Sequence, residues 1–210
     1  HSSNRRQRQM CIRDRLIVEV EGSLDEIDEQ IDKIMVIAES LDPTELRRAK
    51  DEDQANRIWL GRKSAFGAMG QIADYMCLDG TIPVNKLPYV LKCIGEMSKT
   101  YGLSVANVFH AGYGNMHPLI LYDANKPGEL TKCEEFGAEI LRLCVEVGGC
   151  LTGEHGVGIE KRELMDYQFT ADDIDAQLRI KDVFDSKWLL NPLKVFPLHH
   201  TEARRMAFNC

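Results

Sequence analysis

Regular patterning begins at Leu16. Apolar and charged residues alternate over most of Leu16-Ile17-Val18-Glu19-Val20-Glu21, which predicts a strand with one buried face over residues 16–21. The period then changes: Leu24, Ile27, Ile31, Ile34, Ala38 and Leu41 recur at intervals of three and four and form one helical stripe. Ser23 and Glu26 make a capping box at its start, and Pro43 stops it. A second strand over residues 45–49, a helix from residue 51 to about 66, a loop through Gly67 and Gly70, and a strand over residues 74–82 are expected next. Pro83 opens a helix whose Leu87, Val90, Leu91, Ile94 and Met97 share a face.

Residues 103–110 and 116–122 read as two strands joined by Gly112-Tyr113-Gly114-Asn115. A long helix over residues 127–147 is expected to bury Leu130, Cys133, Gly137, Ile140, Leu141 and Cys144, ending at Gly148-Gly149. Gly153, Gly156 and Gly158 then mark a loop before two short helices, one starting at Asp172-Asp173 after Thr170. His199-His200 reads as part of an exposed tail over residues 198–210. Strands returning after helices, with one hairpin, predict an α+β fold: an open, mostly antiparallel sheet covered by helices on one face.

Residues 1–15 do not share this patterning. They are strongly basic and carry neither an apolar period nor a cap, so they read as translated adaptor sequence or a solvated tail and are set apart from the fold. Across all 210 residues, 33 acidic side chains outweigh 26 basic ones for a net charge of −7, which argues against a nucleic-acid footprint. The apolar runs are too short to span a bilayer. Seven cysteines without a CxxC pair fit free thiols in a reducing cytoplasm.

Candidate chemistry lies in two glycine-flanked segments. If the turn in His110-Ala111-Gly112-Tyr113-Gly114-Asn115-Met116-His117 joins antiparallel strands, Ala111 faces Met116 and His110 faces His117, close enough for two imidazoles to hold one cation. Glu154, in Thr152-Gly153-Glu154-His155-Gly156-Val157-Gly158, could complete a two-histidine, one-carboxylate set suited to zinc, iron or manganese. A plainer arrangement fits the same residues: a stacked histidine pair and a solvent-facing turn. No GxGxxG, phosphate loop, GxSxG or HExxH motif is present.

The two segments resemble the HxGDGNxH and GEHGxG motifs of FAD-linked oxidases of the vanillyl-alcohol oxidase type, most nearly the glycolate oxidase FAD subunit and D-lactate dehydrogenase group. Ile58-Trp59-Leu60-Gly61-Arg62-Lys63-Ser64-Ala65-Phe66, Asp79-Gly80-Thr81-Ile82-Pro83 and Leu190-Asn191-Pro192-Leu193-Lys194-Val195-Phe196-Pro197 extend the likeness over residues 16–197. The resemblance implies a ferredoxin-like cap domain that supplies the substrate site of a FAD-dependent 2-hydroxy-acid oxidoreductase. In it His110, His117 and Glu154 would hold a divalent metal, His155 would act as base on the substrate hydroxyl, Arg62 would bind the substrate carboxylate, and Asn191 would contact the cofactor. An imidazole suits that base role near neutral pH, and a guanidinium offers a bidentate fork to a carboxylate.

The resemblance further implies an iron-sulfur partner subunit and a cytoplasmic protein held at the inner membrane through its partners. Two departures stand out. Tyr113 occupies the position of the motif's aspartate, which puts metal occupancy in question. The family's amino-terminal FAD-binding domain is not represented, so the fragment alone is expected neither to retain FAD nor to turn over. Alternative readings are a metal-dependent hydrolase using the same residues and a non-catalytic ferredoxin-like interaction module.

Overall fold

The computed structural model describes residues 15–206, and side chains as far as Glu202. Most of the basic amino-terminal run, residues 1–14, lies outside the described residues. The chain divides between Ser64 and Ala65 into two units.

In the first unit, helix α1 spans Leu24–Glu39 and helix α2 spans Glu52–Lys63. Glu26 reaches back to accept the Ser23 N–H at 2.9 Å and its hydroxyl at 2.7 Å, forming the expected capping box. These bonds lower the Glu26 carboxyl from its ordinary value. Ile27, Ile31, Ile34 and Ala38 are half-buried along the predicted stripe, whereas Leu24 and Leu41 are exposed. At α2, the Asp51 side chain accepts the Gln54 N–H at 2.7 Å.

Residues 16–21 and 45–49 are not strands. Alternation shows which face of an extended segment could be covered, but a strand exists only where a neighbour supplies a ladder. Neither segment pairs with one among the described residues. Arg48 is instead tied by its side chain to Asp28 and Asp32 of α1.

The second unit begins with helix α3, Ala65–Met69, which includes Gly67 where a loop was expected. The expected strand over residues 74–82 is two short strands, β1 (Asp74–Cys77) and β2 (Gly80–Thr81). After a 3₁₀ turn at Val84–Lys86 comes helix α4, Leu87–Tyr101. Strands β3 (Val105–Asn107), β4 (Asn115–Met116) and β5 (Pro118–Tyr122) follow, then helix α5, Glu129–Glu146. The main sheet has the order β1-β5-β3 with both ladders antiparallel, and β2 pairs antiparallel with β4. The succession β1-α4-β3-β5-α5, with β5 between the other two strands, is the α+β arrangement that the residue pattern predicts.

Both long helices serve one core. Val90 and Ile94 of α4 and Cys133, Phe136, Ile140, Leu141 and Cys144 of α5 cluster with Leu78, Met116 and Ile120. Tyr101 stacks on Phe136 with ring centroids 4.9 Å apart. Leu130 is not part of this core: it lies in the first turn of α5 and is 44% exposed, while Phe136 takes the buried place instead. Gly80 is required by close packing, since a Cβ there would lie 2.7 Å from Cys144 Sγ.

Helices α6 (Met165–Gln168) and α7 (Ala171–Phe184) follow the glycine loop, and Thr170 with Asp173 caps α7 as expected. The anticipated tail from residue 198 is instead helix α8, Leu198–Met206. His199 and His200 both point Nε2 at Asp166, at 3.2 and 2.7 Å. This helix has no long apolar stripe to announce it; its partner carboxylate is on α6, 34 residues away from His200.

Candidate functional site

The hairpin that carries both motif histidines is tighter than its turn residues suggest. Val105, Ala106 and Asn107 of β3 pair with Ile120, Leu119 and Pro118 of β5. Extending that register sets Asn115 opposite His110, and the His110 N–H donates to the Asn115 carbonyl at 3.0 Å. The expected opposition of His110 to His117, and of Ala111 to Met116, is therefore displaced by two residues. The cause is the turn: Ala111–Tyr113 form one 3₁₀ turn, and Gly114 closes it at φ +69°. A Cβ on Gly114 would lie 2.0 Å from the Ile82 carbonyl oxygen, so the backbones meet there only because the residue is glycine.

A two-residue displacement leaves side chains on the same face, whereas a one-residue slip would have reversed them. His110 and His117 are thus diagonal neighbours with ring centroids 5.6 Å apart, nearly perpendicular. His117 is 2% exposed, and its Nδ1 lies 3.1 Å from the Leu78 carbonyl oxygen. A carbonyl only accepts, so Nδ1 carries the proton and Nε2 presents its lone pair. Nε2 in turn lies 3.3 Å from Glu154 Oε1. Two acceptors face each other at that distance, an arrangement completed by a proton or a cation between them.

Glu154 and His155 are held by a residue outside the two motifs. The carboxylate of Asp79, fully buried, accepts the Thr152 hydroxyl at 2.7 Å and the N–H groups of Gly153, Glu154 and His155 at 3.1, 3.1 and 2.8 Å. Lys161 Nζ, also buried, reaches Asp79 at 3.3 Å and the Thr152 hydroxyl at 3.2 Å. Burial alone would raise the Asp79 carboxyl, but the Thr152 hydroxyl, the His155 and Glu154 amides and the Lys161 ammonium outweigh it and hold the group well below the usual carboxylate range. Gly153 is also obligatory, because a Cβ would lie 2.7 Å from Asn115 Oδ1. The loop backbone is fixed while the Glu154 and His155 side chains stay about half exposed.

The His155 ring stacks on His117 at 5.1 Å, and its Nε2 is 3.8 Å from Glu154 Oε1. Phe66 meets His117 edge-on at 6.3 Å. One ligand atom each from Asp79, His117, Glu154 and His155 falls within 4.8 Å of the others, and a second group joins Cys77 to the same two histidines. Five donors converge on Asp79 Oδ2, from Thr152, Gly153, Glu154, His155 and Lys161, while Oδ1 accepts only the Glu154 N–H at 3.2 Å, so the carboxylate chiefly organises the loop. Burial, and the Asp79 carboxylate after it, push the Cys77 thiol up from its ordinary value.

His110 joins neither donor group, although its ring borders His117. Arg62 lies in the last turn of α2, in the first unit. Asn191 adopts φ 45° in an exposed segment, and Lys194 donates to its Oδ1 at 3.3 Å. Tyr113 is 85% exposed on the turn, and the Leu78 carbonyl sets the His117 tautomer without help from that position. Asp79, Lys161 and Cys77 escaped sequence reading as site residues: Asp79 and Cys77 fell within a predicted strand, and Lys161 is joined to them only by long-range contact.

The model of the family described as FAD linked oxidases, C-terminal domain, matches residues 14–195. Over 186 residues, 88% of this chain, the sequence is 50% identical to the glycolate oxidase subunit GlcD of Escherichia coli strain K12, covering 37% of that protein. It is 31% identical over 182 residues to the GlcD subunit of Bacillus subtilis strain 168, covering 86% of this chain and 39% of the relative. Identity to the mitochondrial cytochrome-type D-lactate dehydrogenase of Kluyveromyces lactis is 29% over 179 residues, 82% of this chain and 31% of the relative. The chain thus spans less than two fifths of the length of these relatives.

Proposed function

The chain belongs to the family of FAD linked oxidases as its C-terminal domain, and we propose that it forms the substrate-side cap of a FAD-dependent oxidoreductase acting on a small 2-hydroxy acid of the glycolate or D-lactate type. The glycolate oxidase and D-lactate dehydrogenase relatives support this substrate class. The observation that carries the site assignment is the approach of His117 Nε2 to Glu154 Oε1 with the Nδ1 proton committed elsewhere.

The His117 Nε2 and Glu154 Oε1 pair, 3.3 Å apart, is an imidazole–carboxylate donor pair of the kind that fits a divalent ion such as zinc, iron or manganese. His117 and Glu154 would hold it, with His110 as the third ligand. Bound there, such an ion would supply Lewis acidity to a chelating hydroxy acid, lowering the cost of removing its hydroxyl proton, and FAD would supply the acceptor for the Cα hydride. His155 is the group that takes that proton. Its backbone is pinned to Asp79 and its ring is stacked on His117, so the imidazole is oriented before substrate arrives. Arg62 is assigned the substrate carboxylate, for which a guanidinium provides two parallel donors.

Asn191 is assigned a contact to the cofactor. Its Oδ1 is engaged by Lys194, which leaves the amide nitrogen to donate to a flavin or phosphate oxygen. The principal FAD-binding surface, in this reading, belongs to the part of the relatives that this chain does not span. Electrons pass on to an iron-sulfur partner subunit, in the cytoplasm at the inner membrane. Among the described residues, no helix is long and apolar enough to cross a membrane.

The test is to join the chain to a family FAD-binding domain and follow flavin bleaching anaerobically on mixing with glycolate or D-lactate. Rapid bleaching that His155→Gln slows by two or more orders of magnitude is expected. Bleaching at an unchanged rate in that variant would overturn the assignment of His155, and ester hydrolysis without flavin reduction would favour a metal-dependent hydrolase.

A further inference from the structure

The imidazoles of His117 and His155 belong to two donor groups at once. In one group their ligand atoms lie within 4.8 Å of oxygens of Glu154 and Asp79, and in the other within 4.8 Å of the sulfur of Cys77. The sheet register explains the second group. Cys77 of β1 stands opposite Leu119 of β5, and Leu119 and His117 lie two residues apart, hence on one face. The Cys77 thiol donates to the Leu78 carbonyl at 3.4 Å, the same oxygen that fixes the His117 tautomer. One backbone carbonyl therefore anchors both a sulfur and an imidazole of the group. Cys77 is half-buried and unbridged, so its sulfur is available.

We propose that Cys77, His117 and His155 form a second, thiophilic mode of this centre, in which Zn²⁺ is held through sulfur and the imidazole of His155 is withdrawn from proton transfer. The proposal rests on the reading of His155 as the base. In the tetrahedral geometry that zinc adopts, two donors lie about 3.3–3.6 Å apart. The three ligand atoms here lie within 4.8 Å of one another, so side-chain rotations that close the gaps by about 1 Å bring them into one coordination sphere. Donor chemistry separates the two modes. Thiolate with imidazole favours zinc, whereas carboxylate with imidazole also serves manganese and iron. Binding in the sulfur mode exchanges the Cys77 Sγ–H bond for an Sγ–metal bond and releases one proton to buffer, with no change of oxidation state. Cys77 thus makes the site selectively sensitive to zinc: the metal that binds most tightly is the one that disables the base.

Co²⁺ titration of the 210-residue chain, under phosphine reductant and followed by absorption, tests this. The expected result is a thiolate-to-cobalt charge-transfer band in the near ultraviolet that Zn²⁺ displaces. Cys77→Ser and His117→Ala should each abolish the band, and Cys77→Ser should weaken zinc binding at least tenfold while changing manganese binding less than threefold. Cobalt binding with ligand-field bands but no charge-transfer band would overturn the role of Cys77 and leave the oxygen-side metal reading intact. A band that survives in Cys77→Ser would overturn it as well, assigning the sulfur to another cysteine such as the exposed Cys150. No cobalt binding at all would remove both readings. X-ray absorption at the zinc edge of the unmodified chain provides a measurement independent of any variant: one sulfur neighbour is expected, and a shell of nitrogen and oxygen alone refutes the proposal.

Discussion

The His155 backbone N–H donates to the Asp79 carboxylate at 2.8 Å across 76 residues of sequence, and this bond couples the proposed base to the buried core. Thr152, Gly153 and Glu154 donate to the same group, and Lys161 neutralises it. Asp79→Ala leaves the Lys161 ammonium buried without its counter-ion and three loop amides without their acceptor. A loss of about 3–5 kcal/mol in unfolding free energy is expected from chemical denaturation, together with loss of the ordered Thr152–His155 loop in amide hydrogen exchange.

The same carboxylate sets an acid limit. Its folded-state pKa is depressed, so its stabilising contribution is present above the unfolded-state value, about 4, and is lost as pH falls below that value toward the folded one. Unfolding midpoints measured from pH 7 down to pH 3 should fall more steeply for the unaltered chain than for Asp79→Asn, which has no such proton to gain. Parallel curves would show that Asp79 is not the group responsible.

Gly114 and Gly112 share one turn but face different surroundings. Gly114→Ala meets the Ile82 carbonyl and a left-handed backbone, and should cost on the order of 2–4 kcal/mol. A Cβ on Gly112 has nothing within 4 Å, so Gly112→Ala should stay within about 0.5 kcal/mol. Equal thermal midpoints for the two variants would contradict the observed turn.

In the core, Phe136→Ala removes a fully buried ring stacked on Tyr101 and should cost about 3–5 kcal/mol. Leu130→Ala, at a partly exposed position, should cost less than about 1 kcal/mol. Denaturant titration of the pair measures the difference directly.

His117 and His155 should separate under mutation. The His117 side chain is 3% exposed and bonded to the Leu78 carbonyl, so His117→Ala should lower both divalent-metal affinity and the thermal midpoint. The His155 side chain is 48% exposed, so His155→Gln should leave the midpoint within a degree or two while slowing flavin reduction in the protein joined to its FAD-binding domain. Calorimetry of both variants, beside the bleaching assay, distinguishes a structural imidazole from a working one.

Much of this protein is readable along the chain because the relevant signals are local. Ser23 with Glu26, Thr170 with Asp173, and the stripes of α4 and α5 each depend on residues a few positions apart, and all appear where the pattern predicts. The segments 16–21 and 45–49 show the complementary case. Their residue types suit strands, but strand formation depends on a partner that the segment does not encode. Leu130 and Phe136 make the same point in the core: the stripe defines a face of α5, and only the packing of that face on β5 decides how far along the helix burial extends.

Alone, the amino-acid sequence determined the α+β succession, the two motif segments and the family, because helix periods, caps, glycine turns and motif order are properties of neighbouring residues. Tertiary structure decided that His110 pairs with Asn115, that His117 presents Nε2 to Glu154, that Asp79 holds the 152–155 loop, and that Cys77 lies beside His117 and His155. Those outcomes depend on strand register and on the burial of a carboxylate beneath a loop far along the chain. They are set by long-range hydrogen bonding and close packing, which no local pattern contains.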